Sequence, residues 1–345
     1  MQKDVLLTGY GNVGHAFVRL LHERSSLIEQ RYGLRFRLIG VMASRGWLYD
    51  AGGLNMEWLV KAGVGSDALQ RYAAEKGGWL GERSLQEIGQ QAHALVESAP
   101  TDIARGEPGL TYIRQALRCG LDVVAVSKGA LVTQYRELMQ LAAEHNARIK
   151  YSGATAAALP TLDIGEYSLA GCTIERIEGV LNGTTNYILT RMAEGRIPFA
   201  DALREAQARG IAETNPRQDI SGTDSACKLV LLANGLLGAS ASLSDVSITG
   251  IDTVTVEQHE AARSRGAKLK LLASAVRGDD SSLTLEVAPR ELEPGHPLYA
   301  VDGTEKGVVF HTDLMGRVSA IGGASSPSGA AAAALKDLIN LYRDK

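Results

Sequence analysis

Lys3-Asp4-Val5-Leu6-Leu7-Thr8-Gly9-Tyr10-Gly11-Asn12-Val13-Gly14 decides how the first half of this chain folds. Lys3 to Thr8 reads as a short buried strand that runs straight into a GxGxxG turn. Beyond the turn, Val13, Ala16, Phe17, Leu20 and Leu21 recur at helical spacing, and Arg35 to Ala43 supplies a second strand. Strand, glycine turn, helix and strand make one βαβ unit, the context in which this motif binds a dinucleotide. Gly11 lets a pyrophosphate approach the backbone, and the helix N-terminus faces the anion. Gly9, Gly11, Asn12, Val13 and Gly14 are therefore candidate cofactor-binding residues; the plain alternative is a structural glycine turn.

The strand that ends at Ala43 decides which dinucleotide fits. An NAD binder usually carries an acid there for the adenosine ribose, whereas this chain has Ser44 and Arg45. A guanidinium at that point can pair with a 2'-phosphate, so the residues favour NADP over NAD. A solvated surface arginine is the alternative reading of Arg45.

Further strands and helices continue the pattern. His93 to Ser98, Asp122 to Val126 and Ala147 to Tyr151 read as strands, with helices at Gly109 to Cys119 and Leu131 to His145. Alternation of this kind argues a doubly wound, mostly parallel sheet through about residue 150. Thr101, Asp102, Ser127 and Lys128 fall at carboxyl ends of strands, where ligands sit in open α/β sheets. The stretch 46–81 is long for a crossover and predicts an extra helix without assigning it any chemistry.

Composition narrows the classes. Hydrophobic residues make up 45% and charged residues 22%, an ordinary globular balance. A net charge of -3 gives no broad basic surface, which argues against nucleic acid or anionic membrane as partner. Three isolated cysteines, Cys119, Cys172 and Cys227, form no CxxC pair, so the expectation is a reducing cytoplasm and no cysteine zinc site. No signal-peptide core precedes Gly9, and the longest uncharged run, Leu229 to Ser244, is too broken for a membrane helix.

The second half changes character. Thr173 to Leu181 alternates apolar and polar residues, Leu283 to Val287 and Val308 to His311 look similar, and helices are expected at Phe199 to Arg209 and Ser225 to Leu237. These features predict an α+β domain on an open sheet with one mainly exposed face. The expected division is 1–150 plus 322–345 for the α/β Rossmann nucleotide-binding domain and 151–321 for a catalytic and dimerisation domain. The terminal helix, Ala330 to Tyr342, carries an apolar stripe that has to dock, most naturally on the first domain.

The densest polar stretch is Glu213 to Lys228. Asp224 and Lys228 stand four residues apart on the first turns of an apolar helix and so share a face. The bland reading is a surface ion pair worth well under about 1 kcal/mol. The sharper one is a buried lysine beside carboxylates, whose proton affinity suits acid–base chemistry. Asn182-Gly183 reads as a turn, with Thr184 or Thr185 as the following N-cap.

GVLNGTTNYIL (179–189), GIAETNP (210–216) and DISGTDSACKL (219–229), with GYGNVG, VSKGALV (126–132) and GVVFHTDLMG (307–316) in the same order, resemble homoserine dehydrogenase over nearly the whole chain. The resemblance implies NAD(P)-dependent interconversion of L-homoserine and L-aspartate 4-semialdehyde in threonine and methionine biosynthesis, and a homodimer joined through sheet strands. It implies Lys228 and Lys128 as catalytic lysines. It also implies Glu213, Asp224 and Asp219, with Gly183 and Thr184, as substrate binders. Three departures stand out. Ser127 precedes Lys128 where the family has Asn, and Ser152 replaces a family glutamate in the stretch 151–160, which argues against a sodium site. The chain ends after the closing helix, so feedback through an ACT-type domain is not expected. The competing readings are a dehydrogenase of another small amino acid or aldehyde and a silent NADP-binding sensor. Acyl-phosphate chemistry is disfavoured, because Cys227 lies one step from Lys228 on a different helix face.

Overall fold

In the computed structural model, which describes residues 1–278, 282–323 and 326–343, the opening strand β1 (Gln2–Thr8) is buried from Asp4 onward. It feeds α1 (Asn12–Glu23) through the glycine turn. Gly9 has a φ of +85°, and a Cβ there would collide with the Ser98 carbonyl; one at Gly14 would meet the Gly9 carbonyl at 2.0 Å. Only glycine tolerates both the backbone and the approach. After α2 (Ser25–Tyr32), β2 (Arg35–Ala43) lies parallel to β1.

The stretch 46–81 holds more than the one helix its length suggests. It forms β3 (Gly46–Tyr49), α3 (Met56–Ala62), α4 (Gly65–Lys76) and β4 (Trp79–Gly81). β3 and β4 extend the sheet by antiparallel pairing from β2. Then follow β5 (Ala94–Glu97), α5 (Gly109–Arg118), β6 (Asp122–Ala125), α6 (Gly129–Glu144) and β7 (Ile149–Lys150). The seven strands run in the order β4-β3-β2-β1-β5-β6-β7. β1 pairs with β2 on one side and β5 on the other, so the winding reverses there and leaves a crevice at their carboxyl ends.

The C-terminal helix, Pro327–Tyr342, packs on α1, with Ala331, Ala334, Leu338 and Leu341 in the same core as Val5, Phe17 and Leu38. Its Asp337, fully buried, accepts the Ser152 N–H and hydroxyl at 2.8 Å each and the Lys336 ammonium at 2.8 Å. Burial pushes that carboxyl above the usual range, while Lys336 and Ser152 oppose the shift. Ser152, read as a replaced cation ligand, is thus a tie for the closing helix.

The chain divides into two compact units, 1–154 with 326–345, and 155–325. The junction residues 324 and 325 lie outside the described part. The second unit contains β8 (Ile174–Val180), α7 (Gly183–Gly195), α8 (Phe199–Ala208), α9 (Thr223–Leu236), β9 (Val246–Ile248), α10 (Val256–Ser264), β10 (Lys268–Arg277), β11 (Leu283–Leu292), β12 (Lys306–Thr312) and β13 (Gly316–Gly322). Its sheet order is β13-β12-β8-β10-β11-β9, antiparallel except for the β9–β11 pair. α9 covers one face: the Gly222 backbone before it sits against Val287, which pairs with Ala273 and so with Gly179. Arg176, Glu178, Ser274 and His311 occupy the opposite face, which is not the mainly exposed one expected: Glu178 is buried, and Val180, Leu272 and Val309 on that face pack with Leu298 and Val301.

Candidate active site

The two chemical features of the chain lie one in each unit. In the first, a cleft of about 620 Å³ sits over the glycine turn and is lined by Gly9, Gly11, Asn12, Val13, Ser44 and Thr101 among others. A Cβ placed on Gly11 would meet nothing within 4 Å, so the space above that backbone is open. α1 begins there with no side chain capping it and no acid in its first turn. Unsatisfied N–H groups beneath an open space are what a pyrophosphate requires, and the residues fit a dinucleotide.

The adenosine end holds a feature that sequence patterning missed. α4 returns Gly65 and Ser66 to the cleft wall, with the Gly65 N–H donating to the Tyr10 carbonyl at 2.7 Å. The Ser44 and Ser66 hydroxyls lie 3.0 Å apart. The Arg45 guanidinium donates to Asp67 at 2.8 Å and Gln70 at 3.0 Å. An acid does stand near the ribose end, contributed by α4 and already paired with the arginine.

Ser127 and Lys128 behave differently from Thr101. The buried Ser127 hydroxyl donates to Glu97 at 2.6 Å and is turned into the sheet. Glu97, at the end of β5, also accepts the Ala99 N–H at 2.8 Å, and burial pushes its carboxyl up to about 7. Lys128 is half-buried at the N-cap of α6.

In the second unit the polar cluster converges on Asn182, which is the N-cap of α7 in place of the threonines expected there. Its side-chain oxygen accepts the Thr185 N–H at 2.9 Å. Its amide donates to both Asp219, at 2.7 Å, and Asp224, at 2.8 Å, so one side chain caps a helix and bridges two carboxylates. Lys228 Nζ lies 2.6 Å from Asp224 and donates to the Leu181 carbonyl at 2.8 Å. With side chains 14% and 11% exposed, this is no solvated surface pair. Burial first, and Asp224 second, raise the pKa of Asp219. Thr184 Oγ1 lies against the same carboxylate and 3.1 Å from the Ile211 carbonyl, and Gly183 opens α7 beside Asn182. Glu213, in contrast, is exposed on the preceding loop.

Lys306, at the start of β12, was not singled out by any sequence pattern. It is 3% exposed, its Nζ donates to the Ala156 carbonyl at 2.8 Å, and burial together with the nearby Lys228 brings its pKa down to about 8, against the opposing pull of Asp224.

Among the described residues, no cluster of three histidine, cysteine or acidic side chains could hold a metal ion, and no helix is long and apolar enough to cross a membrane. A nucleotide cleft on one unit and a buried lysine–aspartate cluster on another fit the class of NAD(P)-dependent oxidoreductases. A profile of homoserine dehydrogenase matches residues 160–339, and one of the homoserine dehydrogenase NAD-binding domain matches residues 9–152. The chain belongs to the homoserine dehydrogenase family. It is 33% identical to the homoserine dehydrogenase of Methanocaldococcus jannaschii over 98% of each chain. It is also 33% identical to an NAD(+)-dependent homoserine dehydrogenase of Pseudomonas canavaninivorans, over 98% of this chain and 95% of that one. The crystal structure of a homoserine dehydrogenase from Thiobacillus denitrificans superposes with a TM-score of 0.84 at 25% identity, covering 99% of this chain and 74% of the other.

Proposed function

We propose that this chain interconverts L-homoserine and L-aspartate 4-semialdehyde, with NADP preferred and NAD accepted, and that Lys228 moves the proton on the substrate oxygen. The observation that carries the assignment is the buried set Asp219, Asn182, Asp224 and Lys228. A bound nicotinamide supplies the hydride acceptor or donor for the oxygen-bearing carbon. The chain's own part is to orient the substrate and manage its charges. Asp219 and Asp224, held apart by the Asn182 amide, present carboxylate to the substrate ammonium, a positioning effect worth several kcal/mol of barrier. Lys228, fixed by Asp224 and the Leu181 carbonyl, gives its proton to the aldehyde oxygen in reduction or takes the hydroxyl proton in oxidation. As an ammonium it stabilises the developing alkoxide.

Lys128 is assigned as the assisting lysine, and Gly183, Thr184 and Glu213 as further substrate contacts, Glu213 only after movement of its exposed loop. The working form is assigned as a cytoplasmic homodimer; Cys119, Cys172 and Cys227 form no disulfide, which suits a reducing compartment.

The test is absorbance at 340 nm with L-homoserine and each cofactor in turn. Lys228→Ala is expected to lower kcat at least about a hundredfold, as removal of a general acid–base does, with NADP affinity nearly intact. Lost cofactor affinity with normal residual turnover would refute the assignment.

A further inference from the structure

The three charged groups of this cluster do not complete an amino-acid site. Asp219 and Asp224 answer an ammonium and Lys228 answers the reacting oxygen, but none of them answers an α-carboxylate. The missing cation stands one strand away. β12 pairs with β8 at Gly307 and Val180, so Lys306 lies beside the point where β8 runs into Leu181 and Asn182. Leu181 is also the residue whose carbonyl holds Lys228, so the register places two lysines at one end of the sheet. Asp224 and Lys228 of α9 are the charged groups that act on Lys306. The segment 155–160 beside it, Thr-Ala-Ala-Ala-Leu-Pro, has no ionisable side chain, and the neighbouring Glu305 is exposed.

An ammonium carries three donors, and Lys306 has one neutral acceptor, the Ala156 carbonyl, among the described residues. A buried cation with a single dipole partner is costly unless an anion joins it. We propose that Lys306 binds the carboxylate of the amino-acid substrate and so sets specificity for an α-amino acid over a simple amino alcohol. This rests on the proposed function for the identity of the substrate, though not for the need of a carboxylate.

The test uses the full chain, Lys306→Met and Lys306→Arg, with two readouts. Kinetics compare L-homoserine with 3-aminopropan-1-ol, which keeps the hydroxyl and amine and lacks the carboxylate. Lys306→Met is expected to raise KM for L-homoserine about 10- to 100-fold, the scale of one charge-assisted hydrogen bond, and to leave kcat/KM for the amino alcohol within about threefold. Lys306→Arg, which keeps the charge, recovers part of the loss. The second readout is thermal protection by 4-hydroxybutyrate, which keeps the carboxylate and lacks the amine, and this protection is expected to vanish in Lys306→Met. An equal loss on both alcohols, or protection that survives the substitution, overturns the proposal. A wild-type enzyme inert toward L-homoserine yet protected by 4-hydroxybutyrate through Lys306 overturns the substrate reading and leaves the carboxylate site standing.

Discussion

Glu97 shows what a single buried carboxyl does to this molecule. It sits at the end of β5, held by the Ser127 hydroxyl and the Ala99 N–H, and its pKa is pushed up to about 7 from 4.5 by burial. Folded protein therefore binds the proton more tightly than unfolded chain between those two values, so stability falls as pH rises from 4.5 through 7. The shift corresponds to a cost of about 3 kcal/mol at pH 8, the full value for a completely buried group. Glu97→Gln removes the titration and keeps the shape. Its melting temperature is expected to exceed that of the wild type at pH 8 and to match it near pH 4.5; an equal difference at both pH values would sink the account. At this scale the sequence revealed pairs but not partnerships. Asp224 and Lys228 were legible because one helical turn joins them. Asn182 with Asp219, and Lys306 with Ala156, meet across 37 and 150 residues, and no local pattern encodes such contacts.

Among the elements, the glycine turn and α1 were readable because strand, turn and helix are each specified locally. The excursion between β2 and α4 was not. Where α4 begins in space depends on the antiparallel pairing of Gly40 to Ala43 with Gly46 to Tyr49, which no residue near Ser66 reveals. β10 escaped for a related reason. Its run Lys268 to Arg277 is buried by α9 on one face and partly covered on the other, so it does not alternate cleanly. The consequence for cofactor choice is concrete. Arg45 serves a 2'-phosphate only by giving up Asp67, and that exposed pair costs little to break. Arg45→Ala is expected to raise KM for NADP about tenfold with little change for NAD, the loss of one charge-assisted contact. Asp67→Asn is expected to move the ratio the other way. Equal effects on both cofactors, measured by initial rates, would remove Arg45 from the phosphate site.

For the molecule as a whole, the surface left to explain is the β12–β13 hairpin of the second sheet. On the face opposite α9, Val180, Leu272 and Val309 are buried with Leu298 and Val301 while Arg176, Ser274 and His311 are half-buried, and the β12–β13 hairpin leaves Leu314 75%, Met315 54% and Ile321 47% exposed. Ile321 pairs with Gly307, itself paired with Val180, and so lies on the same face as Glu178 and Ser274. Leu314 and Met315 at the tip of the hairpin and Ile321 toward its other end are large apolar side chains left in water, and such exposure marks an interface. A second copy is the simplest cover, since a two-fold axis lets one patch answer itself. The expected outcome of light scattering is a particle of twice the monomer mass, insensitive to moderate salt because the contact is apolar. Ile321→Asp combined with Met315→Asp is expected to give monomer with NADP binding retained, because the nucleotide cleft belongs to the other unit. A wild-type chain that is monomeric at every concentration tested, or a doubly substituted chain that still pairs, would show that this face is not where copies meet.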